Sequence, residues 1–138
     1  MTDPDLVEKK LAAIETCVSQ LRKLVRLDEI ARDIREERFV EHTLQIAIQA
    51  ALDVASHVVS DERLGEPATN RQLFELLARA GWIGDDLATR LRDMAGFRNV
   101  LVHGYAEVDT RIVRDVVENR LGDLLDFVAA LRTRGTVR

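Results

Sequence analysis

Phe97-Arg98-Asn99-Val100-Leu101-Val102-His103-Gly104-Tyr105 sets an arginine, an amide, a histidine and a phenol among apolar neighbours. Read as the continuation of the preceding helical pattern, at about 100° per residue, it puts Leu87, Leu91, Met94, Arg98, Leu101, Val102 and Tyr105 on one stripe. Arg98 therefore interrupts an apolar face. A guanidinium cannot shed its proton to escape burial, so it needs a carboxylate, a phosphate or a wet cleft beside it. His103 follows five residues later, roughly 140° round an ideal helix. The two side chains cannot converge on one small target from a single regular helix. Either the helix breaks near Gly104, or a second copy of the chain supplies the partner.

The flanking sequence is helical in the same sense. Thr2-Asp3-Pro4 reads as a capped helix start with proline in the first turn, and Leu6, Leu11, Ile14, Val18, Leu21, Leu24 and Val25 recur near helical spacing toward Arg26. Cys17 lies in this helix without metal or redox spacing and reads as a packing residue. Asp28 can cap a restart, with Arg32 to Arg38 as either a short helix or the exposed first turns of a long one. From Phe39 to Val59 an alanine-rich apolar face permits close helix packing, with Glu41, His42, Gln45, Asp53 and His57 as its polar insertions. Ser60 to Thr69 is a loop. Thr69 or Asn70 then caps a short helix stopping at Gly81, with Trp82 and Ile83 plugging the end of the bundle. Gly84-Asp85-Asp86 opens the helix leading to Arg98. A last helix is predicted as one piece from about Thr110 into the Leu131 region, capped by Asp109.

Composition fits that pattern. A chain of 138 residues is the size of one domain, 1–138, able to bury a core without staples. With 46% hydrophobic and 32% charged residues and only two prolines, amphipathic helices are favoured over a turn-rich β-sandwich. The single cysteine excludes an intrachain disulfide framework, and no apolar run approaches the ~20 residues that span a bilayer. The start has neither a basic region nor a signal-type apolar run, so a cytoplasmic protein without membrane association is expected. A net charge of -4 argues against a broad cationic surface for nucleic acid. Any nucleic-acid contact must be local, with Arg32, Arg35, Arg38, Arg90, Arg92 and Arg98 as candidates and solvated helix faces as the plain alternative. His42 and His57 are fifteen residues apart without a nearby third ligand, which gives little support to a zinc site. The fold class read here is all-α, an antiparallel up-down bundle of four to five helices.

Arg98-Asn99-x-x-Val102-His103-x-Tyr105 resembles the Arg-x4-His-x-Tyr signature of the HepT-like toxins, within the HEPN superfamily of helical ribonucleases. Arg38-x-x-Glu41-His42-x-x-Gln45-x-x-Ile48, followed by Asp53-x-x-x-His57, is similar to the second helix of that family. The resemblance implies a HEPN-like bundle that pairs through its motif helices. It implies an endoribonuclease toxin whose catalytic pair is Arg98 and His103. It further implies a small nucleotidyltransferase antitoxin that adenylylates Tyr105.

The chemistry suits such a role without a metal or other cofactor. RNA carries its own nucleophile, the 2′-hydroxyl, so cleavage needs a proton acceptor or donor and a cation at the developing phosphorus charge. Histidine titrates near working pH, and arginine offers a planar fork to phosphate. Asn99, one turn before His103, is a supporting residue that orients the histidine or the scissile phosphate. In a two-fold dimer the apolar stripe would form the interface and Arg98 and His103 of both chains would share one cleft. Two alternatives stay open: a non-catalytic HEPN-type dimer that binds nucleotide or a nucleotidyltransferase, and a plain interaction bundle. In the second, Arg98 pairs with Glu41 or another buried acid, His103 caps a helix end and Tyr105 packs.

Overall fold

The computed structural model of the chain describes residues 3–103 and 108–137, without the side chains of His103, Thr136 and Val137. Its first helix, α1, spans Pro4–Leu24; the Asp3 carboxylate accepts from the backbone N–H groups of Asp5 and Leu6, satisfying donors that a helix start otherwise leaves open. A 3-10 turn at Leu27–Glu29 leads into α2, Ile34–Asp61. The Arg35–Arg38 segment is thus the opening of one long helix, capped by Asp33. Next come α3, Asn70–Arg79, capped by the Thr69 hydroxyl, and α4, Asp85–His103.

Helix α3 stops where glycine is required. Gly81 adopts φ +81°, its N–H donates to the Ala78 carbonyl, and the Trp82 N–H donates to that of Leu77. This pair of bonds closes the helix end and turns Trp82 and Ile83 inward, where both are buried as the sequence predicts. Arg134 lies over the Trp82 ring at 5.1 Å.

The C-terminal segment departs from expectation. Instead of one helix it forms α5, Thr110–Asn119, and α6, Leu121–Val137, interrupted at Arg120. The described residues therefore hold six α-helices rather than four to five. Arg120 has ψ -3°, far from the helical value of about -42°, and weak helix formers, Asn119 and Gly122, flank it.

Ion pairs and hydrogen bonds set the helix directions. Asp3 meets His57, Lys10 meets Asp53 and Arg26 meets Glu36, so α1 and α2 are antiparallel. Glu75 faces Arg92, and Arg71 lies against Gly96, giving the same relation between α3 and α4. Arg90 pairs with Asp126 and Asp93 with Arg120, which sets α4 against α6 in the same way.

Helix α2 touches all five other helices. Its buried face is Val40, Leu44, Ala47, Ile48, Ala51, Leu52, Ala55, Val58 and Val59, small enough at the alanines to admit close neighbours. Around it one continuous core gathers Ile14 and Leu21 of α1, Phe74 of α3, Leu91 of α4 and Phe127 of α6. The Phe74 and Phe127 rings meet edge to face at 5.9 Å, an arrangement contributing about 0.5–1.5 kcal/mol beyond area burial. Cys17 is buried in this core, which raises its thiol pKa, as a packing role requires. Among the described residues no helix is long and apolar enough to cross a membrane.

The predicted dimer stripe needs correction at one end. Leu87, Leu91, Met94 and Ala95 face the chain's own core, exposed by 7%, 0%, 3% and 1%. Periodicity identified the apolar face, but α2 and α6 already cover it.

Candidate active site

Three helices meet at Arg98. From α2, residues His42, Gln45, Gln49 and Asp53 present a polar stripe at three- and four-residue spacing, on the opposite side from the buried Ala47, Ala51 and Ala55. Lys10 of α1 and Arg98 of α4 flank it. Together with Ala13, Ile46 and Ala50 they line an open groove of about 310 Å³.

A chain of polar contacts runs through this groove. The Arg98 Nη2 donates to Gln49 Oε1 at 2.6 Å, and Gln49 Nε2 donates to Asp53 Oδ1 at 2.8 Å. The other Asp53 oxygen, Oδ2, accepts from Lys10 Nζ at 3.1 Å. Arg98 itself is half-buried, and its Nε is buried with no hydrogen-bond partner among the described residues. Among the described residues Nη2 is the one Arg98 donor with a partner, and Arg98 lines the groove, so donors of the guanidinium remain for a phosphate there.

The acid pairing considered from sequence is not what Arg98 makes. Glu41 lies two turns before Gln49 on α2, and its Oε2 is itself buried without a hydrogen-bond partner among the described residues. Burial raises the Glu41 pKa above the usual carboxylate value, the charge and hydrogen bond of Glu37 push the same way, and Arg38 opposes them. The two groups go their separate ways.

Helix α4 runs unbroken to His103. Positions 98 and 103 therefore lie on one regular helix, about 140° apart, and of the two explanations, a break near Gly104 falls on residues outside the described ones. The His103 side chain and the whole of Gly104 and Tyr105 fall outside the described residues. Asn99 is exposed beside Arg98. His57 has a structural contact: its Nε2 accepts from the Asp3 backbone N–H at 3.2 Å and lies 3.2 Å from Asp61 Oδ2, tying the start of α1 to the end of α2. Among the described residues no three His, Cys, Asp or Glu side chains group as a metal site.

Gln49 and Lys10 were not singled out by sequence reasoning. An available signal was the Gln45, Gln49, Asp53 spacing, which places two amides and an acid on one line of a helix otherwise rich in alanine.

On the other side of α4, Phe97 and Val100 lie with Val108 and Ile112 around a second hollow rimmed by Arg71, Asp93 and Asp109. Val100 and Ile112 are 49% and 51% exposed, so apolar surface remains next to the motif although the deeper stripe is covered.

Comparison with known proteins bears directly on this geometry. The family model described as Ribonuclease HepT-like matches residues 14–131. The mRNA nuclease HepT of Shewanella oneidensis is 30% identical over 129 residues, 93% of this chain and 97% of that protein. The tRNA nuclease HepT of Aphanizomenon flos-aquae is 29% identical over 109 residues, 78% of this chain and 74% of that one. A solved structure of the tri-AMPylated Shewanella oneidensis HEPN toxin in complex with MNT antitoxin superposes with a TM-score of 0.88 at 30% identity, covering 95% of this chain and 99% of that chain.

Proposed function

Because this chain belongs to the HepT-like ribonuclease family, we propose that it is the RNA-cleaving toxin of a toxin–antitoxin pair, with Arg98 and His103 as its catalytic residues. The observation that supports this best is Arg98: a half-buried cation at an open groove, held by a neutral amide and paired with no carboxylate among the described residues. A group so arranged suits a phosphodiester, because the planar guanidinium can address two phosphate oxygens while the surrounding helices keep its position fixed.

In the proposed reaction the RNA 2′-hydroxyl attacks the adjacent phosphorus, and the bond to the 5′-oxygen breaks. The imidazole of His103 moves the proton, Arg98 stabilises the negative charge gathering on the phosphoryl oxygens, and Asn99 helps orient the two. The cleavage step uses no bound water or metal-activated nucleophile: the proton leaves the 2′-hydroxyl, the departing 5′-oxygen is protonated, and a cyclic phosphate forms. Water enters only if that cyclic phosphate is then hydrolysed.

The whole chain, 1–138, acts as one domain in the cytoplasm and as a homodimer. Its contact is proposed to use the apolar surface that stays exposed beside the motif, Val100 of α4 with Ile112 of α5, rather than Leu87 to Met94, and to bring His103 of one chain to Arg98 of the other. Its partner is a nucleotidyltransferase antitoxin. Adenylyl groups placed on Tyr105 would bring negative phosphates near the arginine meant for RNA, satisfying the cation internally and silencing the enzyme.

Cleavage of RNA by the purified protein in chelator, with Arg98→Ala and His103→Ala beside it, tests the chemistry. His103→Ala is expected to lose roughly 10²–10⁴-fold. Wild-type activity in both variants would refute the assignment, and loss of cleavage in chelator would refute metal independence. Light scattering tests the dimer, which a concentration-independent monomer would rule out. Intact mass after incubation with the transferase, ATP and magnesium tests Tyr105. Tyr105→Phe is expected to stay unmodified and to resist neutralisation; equal neutralisation would leave complex formation as the inhibitory route.

A further inference from the structure

The described arginines that form ion pairs, Arg90, Arg92, Arg111, Arg114, Arg120 and Arg132, each have a carboxylate partner. Arg98 has an amide instead. The orientation of that amide is forced. A guanidinium only donates and an ionised carboxylate only accepts, so Gln49 must turn Oε1 to Arg98 and Nε2 to Asp53, as it does at 2.6 and 2.8 Å. Asp53, the nearest acid in the chain of contacts, is matched by Lys10 at 3.1 Å. Lys10 and Asp53 cancel, Gln49 is neutral, and the positive charge of Arg98 remains over the groove.

We propose that Gln49 is the positioning residue for Arg98, an uncharged tether that Asp53 and Lys10 hold in one orientation so that the guanidinium stays fixed yet electrically available to an RNA phosphate in the groove. A glutamate would fit the same space and pair with Arg98, but it would neutralise the charge that has to meet RNA and would set an acceptor against Asp53 Oδ1 where Gln49 donates. An apolar residue would leave the charge and remove the tether. The proposal rests on the ribonuclease reading for its substrate, while its electrostatic content can be measured by binding alone.

The test compares wild type, Gln49→Glu, Gln49→Leu and, as a control for added charge on a distant exposed face, Gln20→Glu. Two assays are run: cleavage of a single-stranded RNA, and binding of the same RNA blocked by 2′-O-methyl groups. Gln49→Glu is expected to fold with a melting temperature somewhat below wild type, because two carboxylates then face each other, and to lose at least about tenfold in kcat/KM. Its binding should depend less steeply on salt, by about 0.7 in the log–log slope, the contribution of one phosphate contact on a single strand. Gln49→Leu is expected to keep the salt slope while kcat falls. Gln20→Glu is expected to match wild type.

The proposal is overturned if Gln49→Glu cleaves and binds like wild type, or if Gln20→Glu falls equally, which would make the effect one of net charge. Should Gln49→Glu fail to fold, an unchanged kcat in Gln49→Leu overturns it just as well. If the wild-type protein does not cleave RNA, the ribonuclease reading falls, and the salt slopes of blocked RNA still decide the role of Gln49.

Discussion

Arg90 and Arg98 stand on the same helix, eight residues apart, and the chain treats them in opposite ways. Arg90 is surrounded by Asp86, Asp123 and Asp126, with Nη1 2.6 Å from an Asp123 carboxylate that is only 8% exposed. Those carboxylates raise its pKa and complete its charge balance, and Arg120 adds a second cation to Asp123 at 3.0 Å. Arg98 receives one amide oxygen. The difference separates fastening from function: an arginine that closes α4 onto α6 is given acids, whereas one meant to meet an outside anion is given a neutral acceptor.

Removing the two arginine sites in turn should break the symmetry most clearly. Arg98→Ala is expected to reduce RNA cleavage about 10²–10³-fold, as for loss of one preorganised charge-stabilising donor, while an equilibrium urea titration shows a change of no more than about 1 kcal/mol. If stability falls with activity, the two ends of α4 do not differ in kind.

Asp123→Ala is the reciprocal experiment. It strips Arg90 and Arg120 of their shared buried partner and is expected to cost about 2–3 kcal/mol of stability, below the usual range for a buried pair because both arginines keep about a third of their side-chain surface in water. Activity per folded molecule should be unchanged in kcat.

Glu41 extends the comparison to α2, where burial and Glu37 act on an acid that Arg38 only partly offsets. Its folded-state pKa lies above the unfolded value of 4.5, so the native state binds the extra proton. The associated stability is present below pH 4.5 and is lost as pH rises through the folded pKa. Glu41→Gln should remove that decline, seen as a flatter dependence of the melting temperature on pH above 4.5; an unaltered profile would show that Glu41 is not held in this way.

The smallest effect is expected at Gly96, between the two arginines. Alanine there would favour the helix by up to about 1 kcal/mol, but its Cβ would press on the guanidinium of Arg71, the far end of an exposed side chain that can swing aside. A rise of a degree or two in melting temperature with unaltered cleavage is the expected outcome. A loss of cleavage would mean that Arg71 or the spacing of the two halves matters to the site.

Much of this was legible in the sequence because local chemistry states it directly. Asp3-Pro4, Thr69 and Gly81 mark helix ends through caps and a positive φ that depend on a few neighbouring residues. The Arg98 stripe was legible for a similar reason, since one charge in an apolar register stands out. The interruption at Arg120 was not, because Val113, Val116, Val117, Leu121 and Leu124 keep helical spacing straight through it. Nor does periodicity say what covers an apolar face, which is why Leu87 to Met94 read as a dimer seam and proved to be core. Gln49 escaped attention because a glutamine on a helix is ordinarily solvated; only the arrival of α4 from 49 residues away gives its oxygen a task.

Because α2 touches every other helix, its central amides have no shallow route to solvent. Peeling away α1 or α6 alone still leaves other helices packed on it, so in a hydrogen-exchange experiment the amides around Ala47 to Ala51 should open only with the whole molecule, at the global unfolding free energy. Gln49 lies within that slowest-exchanging stretch. The tether of Arg98 is therefore anchored in the part of the chain that fluctuates least, and local fraying elsewhere need not blur the position of the guanidinium.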